Sequence, residues 1–385
     1  MDRFLVHSAD VPGPATHALV IGVSAYPHLL GGTGPVTGRH EGMGQLTSPG
    51  PSARAVASWL IENLRDPGKP LATVALLSAE QVAQPFRNPA TGETHSVEPA
   101  SMAAMTDAIE GWGSRGGDPA DRLLFYFCGH GIANGREVSL LSADYGANPR
   151  NQLADALDFS GLWLGMEAVA AREQCFFVDA CRANSSTALG ASGYRGDPVY
   201  LPDVANLPMP ALAPRQAPVF YSTILGQDAY GRPQRPSPFT EALVRALSGA
   251  GGDDNEGDWR VSTTGLKRAI DFFMDRAFAA GAQQAQVPAT NNLSTFFLHY
   301  LDGKPEAQVF VGCRPEQANA FADFSYRKDG VIVDRREPAN GDWELTLSPG
   351  DYEFVADFAT GGYRHAVKQW YVHPPYRKVP LEVFP

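Results

Sequence analysis

The sequence predicts an α/β fold with a mostly parallel sheet flanked by helices, followed by a small all-β sandwich domain at the C-terminus. Up to about residue 300, short apolar segments alternate with segments of helical periodicity. This alternation is typical of a parallel sheet that is covered by helices. Beyond that point the chain contains only short strand patterns separated by turn signals. We therefore expect an N-terminal extension at 1–15, a main domain at 16–302 and a β-sandwich accessory domain at 303–385.

The elements of the main domain follow from hydrophobic periodicity. Strands that are apolar almost throughout are typical of a sheet buried on both faces, and we expect them at Ala18–Val23, Ala72–Leu77, Leu123–Phe127, Cys175–Val178 and Pro218–Ser222. Apolar residues at helical spacing predict helices at Ala53–Leu64, Ala100–Trp112, Leu162–Ala171, Thr240–Leu247 and Thr264–Ala279. Stretches rich in glycine, proline or polar residues interrupt this pattern at 31–50, 83–99 and 183–218.

The accessory domain is predicted from short strand patterns and the turns between them. Turn signals occur at Lys328–Gly330 and Ser348–Asp351. The expected strands are Ala307–Gly312, Asp323–Arg327, Val331–Asp334, Asp342–Leu347, Tyr352–Phe358 and Lys368–Val372. Small sandwich domains of this kind are more often interaction or structural modules than carriers of chemistry, so we expect this domain to recruit a partner or substrate.

Composition excludes several classes of protein. The formal net charge of −11 disfavours a general nucleic-acid binder, whose surface is basic. Four cysteines in 385 residues do not form a disulfide framework. The apolar runs are of strand length, far short of the ~20 residues that cross a bilayer, and the N-terminal residues do not form a secretory signal. We therefore expect a cytoplasmic protein with no membrane and no nucleic-acid partner.

Two of the predicted strands end in residues suited to thiol catalysis. His130, within a Gly-His-Gly tripeptide, follows Leu123–Phe127, and Cys181, within Asp-Ala-Cys-Arg, follows Cys175–Val178. Working residues of an open α/β sheet gather at the carboxyl ends of its strands, and a thiol nucleophile needs an adjacent base. The alternative is that His130 lies in a structural turn and Cys181 is a buried apolar residue, as free cysteines commonly are.

The order and spacing of these motifs, histidine first and cysteine about fifty residues later, resemble the caspase and metacaspase clan. The resemblance extends to 17–26, 51–60 and 217–243. It implies the caspase-haemoglobinase type of α/β sheet and a cysteine endopeptidase in which His130 is the base and Cys181 the nucleophile. It also implies an oxyanion hole formed by the backbone N–H groups of Gly131 and Cys181.

The resemblance further implies specificity for basic residues. Asp179 stands where metacaspases carry the aspartate of a pocket that accepts arginine or lysine, and a carboxylate pairs bidentately with a guanidinium. Arginine is therefore expected to be preferred. The alternative is that Asp179 caps a helix starting near Cys181. Cys128 and Ser222 are expected in the same pocket, with Cys128 a pocket or core thiol. Ser52 departs from the family pattern, which usually has an acidic residue there.

The sequence also gives expectations about regulation and cofactors. In the clan, cutting the linker after the nucleophile strand often activates the enzyme, which makes Arg195 and Arg215 the expected processing sites for self-cleavage, an upstream protease or another regulator. No Cys-x-x-Cys or His-Glu-x-x-His motif supports a metal site. The acidic stretch Asp253–Asp258 lacks the spacing of a calcium loop and is interpreted as a solvated turn. We therefore expect no cofactor, although several metacaspases depend on calcium.

Three functional hypotheses remain at this point. The first is an arginine-directed cysteine endopeptidase acting on protein substrates in a bacterial-type signalling or defence pathway. The second is a catalytically silent scaffold, which would need neither His130 nor Cys181. The third is another thiol reaction on the same fold, such as peptide ligation or acyl transfer, which the sequence does not separate from hydrolysis.

Overall fold

The computed structural model describes residues 2–38, 40–134, 137–182, 196–200, 214–224, 226, 227, 229, 231–255, 257–279 and 286–385. The chain divides into two compact units. The first comprises Met1–Val244 and Ile270–Leu298, and the second Arg245–Ala269 and His299–Pro385. The second unit thus includes a segment far upstream of residue 303, where the sequence predicts the accessory domain to begin. No helix among the described residues combines the length and apolarity needed to cross a membrane.

A seven-stranded sheet forms the centre of the first unit. Its strands are β1 (Leu5–Ser8), β2 (Thr16–Val23), β3 (Leu71–Ala79), β4 (Arg122–Gly129), β5 (Glu173–Ala180), β6 (Val219–Tyr221) and β7 (Ala289–Asn291). Their order across the sheet is β1-β3-β2-β4-β5-β6-β7. The five strands β2 to β6 are parallel to their neighbours, and the outer strands β1 and β7 are antiparallel. The predicted α/β fold with a mostly parallel sheet is confirmed.

The α-helices among the described residues are α1 (Pro49–Asn63), α2 (Met102–Arg115), α3 (Phe159–Gly165), α4 (Pro238–Arg245) and α5 (Thr263–Ala279). The sequence predicted one helix at Leu162–Ala171, but α3 begins earlier because Asp158 accepts a hydrogen bond from the N–H of Gly161 at 2.8 Å and caps it. Shorter strands lie at Phe86–Arg87, Thr94–His95, Gly131–Asn134, Glu137–Leu141, Ala156–Asp158, Gly252–Asn255, Asp258–Ser262 and Phe297–Tyr300.

Helices cover both faces of the central sheet. Side chains of a strand alternate between the two faces, and Leu19 and Ile21 of β2 share a buried cluster with Trp112 of α2. Gly22 points the other way, towards α1, where an added Cβ would lie 2.6 Å from the carbonyl oxygen of Pro49. Glycine therefore allows α1 to pack closely on β2. All eight residues of β4 are buried, which explains why its sequence is apolar with almost no alternation.

The N-terminal residues are part of the sheet rather than a separate extension. Leu5 and Ser8 of β1 lie opposite Ala75 and Thr73 of β3, with antiparallel register. Four residues, two of them polar, give too short a pattern to identify an edge strand. The strand β1 thus lies within the stretch 1–15 that the sequence predicts as an N-terminal extension.

The second unit contains the predicted β-sandwich. Its strands are β8 (Ala307–Arg314), β9 (Ala322–Lys328), β10 (Val331–Arg336), β11 (Trp343–Leu347), β12 (Gly350–Phe358), β13 (Ala366–Val372) and β14 (Tyr376–Glu382). They form sheets of order β11-β8-β14 and β10-β9-β12-β13, with one buried core that includes Val309, Phe324 and Trp343. The sequence missed β14 because it contains Pro380. Its position at the edge of a sheet tolerates that proline.

Candidate active site

The ends of β4 and β5 bring the predicted functional residues together. The two strands pair in parallel with Cys128 opposite Asp179 and Gly129 opposite Ala180. His130 and Cys181 each follow the last residue of their strand. Both therefore leave the sheet at the same edge, as expected for strands that end together.

These residues line one cavity of about 280 Å³. Its walls come from three parts of the chain that are distant in sequence. The strand ends contribute Cys128, Gly129, His130, Asp179 and Cys181, the segment before α1 contributes residues 45–49, and the segment before α4 contributes Ala229, Gly231, Pro233 and Ser237. The sequence predicted the first of these walls and neither of the others.

His130 is held in an orientation suited to a base. Its backbone N–H donates to the hydroxyl of Tyr26 at 2.8 Å, and the two rings lie 4.8 Å apart between centroids. The imidazole Nε2 lies 2.8 Å from the carbonyl oxygen of Gly44. A carbonyl only accepts, so we assign the proton to Nε2, which leaves Nδ1 of the neutral ring as the acceptor.

The surroundings of His130 also favour its neutral form. Burial lowers the pKa of His130 below its ordinary value of 6.5, against a smaller raising effect of the Gly44 carbonyl. A neutral imidazole at pH 7 accepts a proton from a thiol. Gly44 was missed by sequence reasoning because it acts through its backbone. Its place in the glycine-rich segment that follows β2, a strand ending at the same edge, was the available signal.

Cys181 lies partly exposed in the cavity. Its Sγ accepts a hydrogen bond from the backbone N–H of Ala229 at 3.2 Å. Gly131 approaches the nucleophile segment closely, since an added Cβ would lie 2.7 Å from the carbonyl oxygen of Cys181 and 3.0 Å from Cβ of Ala180. The close approach requires glycine at this position. The roles of Gly131 and Cys181 as oxyanion donors stay a prediction.

Asp179 lies at the base of the cavity and is only 3% exposed. Its Oδ2 accepts hydrogen bonds from Sγ of Cys128 at 3.4 Å, from Oγ1 of Thr240 at 3.3 Å and from Oγ of Ser237. Burial raises the pKa of Asp179, and hydrogen bonds from these groups and from Ser222 oppose that rise. Within the described part of the chain, no lysine or arginine forms an ion pair with Asp179.

The geometry of Asp179 favours the pocket over the helix cap. Asp179 belongs to β5, and Cys181 and Arg182 after it are not helical. Its carboxylate faces the cavity and accepts from side-chain donors. Burial of a carboxylate without a cation carries a desolvation cost, and the hydrogen bonds from Cys128, Ser237 and Thr240 offset part of it.

The other cysteines differ from Cys181 in their surroundings. Burial, together with the neighbouring Asp179, raises the pKa of Cys128 well above its ordinary value, so this thiol stays protonated and donates. Cys175 and Cys313 are also buried. Burial raises the pKa of Cys175, and raises that of Cys313 to about 11.

Two serines that do not line the cavity form hydrogen bonds with residues that do. Ser222 is fully buried, its N–H donates to the carbonyl oxygen of Val178 at 2.9 Å, and it does not line the cavity. Ser52 accepts the N–H of Ser237 at 3.0 Å. The position that usually carries an acidic residue thus orients Ser237, which in turn donates to Asp179. Ser237 and Thr240 were not predicted, since a serine before a helix is ordinarily a cap and a threonine within a helix gives no signal of a pocket.

The structure describes Arg215, one of the two expected processing sites. Arg215 is buried, with its side chain 4% exposed, and it pairs with Glu167 and donates to Oε1 of Gln174 at 3.0 Å and to the carbonyl of Trp163 at 2.7 Å. Cleavage after Arg215 therefore requires this segment to leave its packed position. Arg195 lies outside the described residues.

The acidic stretch at Asp253–Asp258 belongs to a β-hairpin. Gly252–Asn255 pairs with Asp258–Ser262, and Oδ1 of Asp254 accepts the N–H of Gly257 at 2.9 Å. In the described portion of the chain, three or more histidine, cysteine or acidic side chains do not come together as a metal site.

Comparison with known proteins places this chain among peptidases. The family model of the caspase domain matches residues 15–297. An uncharacterized protein of Sinorhizobium fredii is 22% identical over 324 residues, which cover 78% of this chain and 90% of that protein. A probable protease of a Desulfuromonadales bacterium is 27% identical over 179 residues, which cover 43% of this chain and 20% of that protein. The crystal structure of caspase-1 from Spodoptera frugiperda matches with a TM-score of 0.45 at 16% identity, covering 77% of this chain and 97% of that one.

Proposed function

Because this chain belongs to the caspase-domain peptidase family, we propose that it is a cysteine endopeptidase that cleaves proteins after arginine. The observation that carries the proposal is the buried carboxylate of Asp179, which shares one cavity with Cys181 and His130 and has no cationic partner among the described residues. The similarity to a probable protease is consistent with peptidase activity.

The chemistry follows from the positions of three groups. Nδ1 of His130 takes the proton of the Cys181 thiol, and the thiolate attacks the carbonyl carbon after the substrate arginine. The N–H groups of Gly131 and Cys181 stabilise the oxyanion. His130 then returns the proton to the leaving amine as the C–N bond breaks. A water molecule, deprotonated by His130, hydrolyses the thioester and restores the free thiol.

Specificity follows from the base of the pocket. The neutral donors Cys128, Ser237 and Thr240 bind Oδ2 of Asp179 and hold the carboxylate in place. A guanidinium offers two parallel N–H groups to a carboxylate, whereas an ammonium is a point charge. We therefore infer that arginine is preferred over lysine and that residues without positive charge are rejected.

Activation is proposed to involve the segment that follows Cys181. Cleavage after Arg195 would cut this linker without breaking the contacts that hold Arg215. The protease that cuts it is either this enzyme or an upstream protease of a bacterial signalling or defence pathway, and the sandwich recruits the protein substrate. We propose that the enzyme acts in the cytoplasm.

The assignment of Cys181 is tested by covalent labelling. A peptidyl arginine chloromethyl ketone should alkylate the wild-type protein once, with the added mass on the tryptic peptide that contains Cys181. The Cys181→Ala variant should not be labelled, and a matched glutamate probe should label neither protein. Labelling at Cys128 instead, or equal labelling by both probes, would overturn the assignment. An unlabelled wild-type protein that also cleaves no peptide would favour the catalytically silent scaffold.

A further inference from the structure

A second cavity of about 640 Å³ lies beside the candidate active site. Leu46 and Thr47 line both cavities. They belong to the segment between β2 and α1, whose neighbour Gly44 contacts His130. The segment that contains Leu46 and Thr47 therefore separates the second cavity from the cavity of Cys181. Its volume is in the range of pockets that bind ligands.

The wall of the second cavity contains an ion pair. Arg54 of α1 binds Glu80, which follows β3, through two hydrogen bonds, one of them 3.1 Å from Nη2 to Oε2. Their side chains are 25% and 14% exposed. The hydroxyl of Ser78 donates to Oε1 of Glu80 at 3.1 Å. Gly50 leaves room for this arrangement, since an added Cβ would lie 2.4 Å from Oε2 of Glu80.

The other polar side chains that line this cavity in the described part of the chain are neutral. They are the amides of Gln81, Gln84 and Gln234 and the hydroxyls of Ser24 and Thr47. Amides and hydroxyls both donate and accept hydrogen bonds. A carboxylate or ammonium that entered would lose hydration without finding an unpaired opposite charge. The lining is therefore suited to an uncharged polar group.

We propose that the second cavity binds a neutral polar residue of the protein substrate close to the arginine. This inference rests on the proposed function, because it requires the arginine to occupy the first cavity. A polypeptide that leaves the first cavity across Leu46 and Thr47 enters the second one. Its glutamine, asparagine, serine or threonine side chains can exchange hydrogen bonds with the glutamines there. The substrate is then recognised by an arginine and by a nearby uncharged residue.

The experiment changes the charge of the cavity in both directions. Internally quenched peptides carry one arginine, and each of the four positions on either side is varied among Gln, Ser, Glu and Lys. At one of these positions the wild type should prefer Gln or Ser. Glu80→Gln leaves Arg54 unpaired and should shift that preference towards Glu, whereas Arg54→Gln leaves Glu80 unpaired and should shift it towards Lys. Each shift in relative kcat/KM should be roughly five-fold, as expected of partly exposed charges.

A matched control comes from the other unit of the chain. Arg327 and Glu353 form an ion pair of similar exposure on the sandwich, and Glu353→Gln should leave every preference unchanged. An unflanked arginine amide should be cleaved by Glu353→Gln at the wild-type rate, and the thermal unfolding of every variant shows whether it is folded. Unchanged preferences in both Glu80→Gln and Arg54→Gln would overturn the inference while leaving the proposed function intact. Failure of the wild type to cleave any peptide would instead contradict the proposed function.

Discussion

Among the described residues, each of the two neighbouring cavities is lined by one carboxylate, and the cavities differ in what neutralises it. Glu80 in the larger cavity is paired with Arg54, so the protein itself supplies the cation. Asp179 in the smaller cavity accepts hydrogen bonds from a thiol and hydroxyls. A carboxylate paired within the protein leaves a neutral binding surface, whereas one with only neutral donors attracts a cationic ligand. The difference supports the proposal that arginine binds in the cavity that contains Cys181.

Removing the charge of Asp179 should have the largest effect on specificity. In Asp179→Asn the substrate guanidinium would be buried without a counter-charge, so kcat/KM for arginine peptides should fall by ~100-fold or more. Steady-state kinetics with an arginine peptide measures this loss, and Glu353→Gln provides the control. Since Cys181 and His130 are unchanged, iodoacetamide should still alkylate Cys181. An Asp179→Asn variant that cleaves after arginine at the wild-type rate would remove the distinction between the two cavities.

A smaller loss is expected from changing the donor that holds Asp179. Ser237→Ala removes a hydroxyl that donates to Oδ2, and hydrogen bonds to charged groups contribute roughly 1.5–3 kcal/mol. Arginine cleavage should therefore fall about ten-fold at neutral pH, with its acid limb moved to higher pH because the carboxylate has lost a stabilising donor. Ser237→Thr should restore both the rate of arginine cleavage and the position of the acid limb. Ser325→Ala, a buried serine in the sandwich, is the control, and an unmoved pH profile in Ser237→Ala would contradict this role.

The pH dependence should separate the two functional groups. Burial lowers the pKa of His130, so the base remains neutral and active down to a pH below 6.5. Burial raises the pKa of Asp179, so its charge is lost on acidification earlier than that of an ordinary carboxyl. The pH dependence of Cys181 alkylation by neutral iodoacetamide should reflect the titration of His130 and not of Asp179. The pH dependence of cleavage after arginine should reflect both groups. An acid limb of the alkylation reaction above pH 6.5 would contradict the lowered pKa of His130.

The sequence alone was sufficient to predict which side chains lie at the ends of β4 and β5. Those strands are buried along their whole length, so their apolar runs mark where each one ends and place His130, Asp179 and Cys181 at one edge. Gly44 could not be found in the same way, because a backbone carbonyl leaves no residue-specific signal.

Residues that act through long-range packing were also beyond sequence reasoning. Ser237 reaches Asp179 from 58 positions along the chain, and only the pairing of the strands and the packing of α4 bring them together. Arg54 and Glu80 look like ordinary surface charges in the sequence, and their pairing depends on α1 lying against β3. The joining of Arg245–Ala269 to the second unit is likewise a tertiary feature.

We propose that Cys181 cleaves proteins after arginine because Asp179 binds the arginine side chain. The most direct test is turnover of a peptide library varied at the residue before the scissile bond, by the wild type and by Cys181→Ala, with and without calcium. Cleavage after arginine, weaker cleavage after lysine and none elsewhere, all lost in Cys181→Ala, is the predicted result. Cleavage after acidic or neutral residues, or activity that survives in Cys181→Ala, would contradict the account.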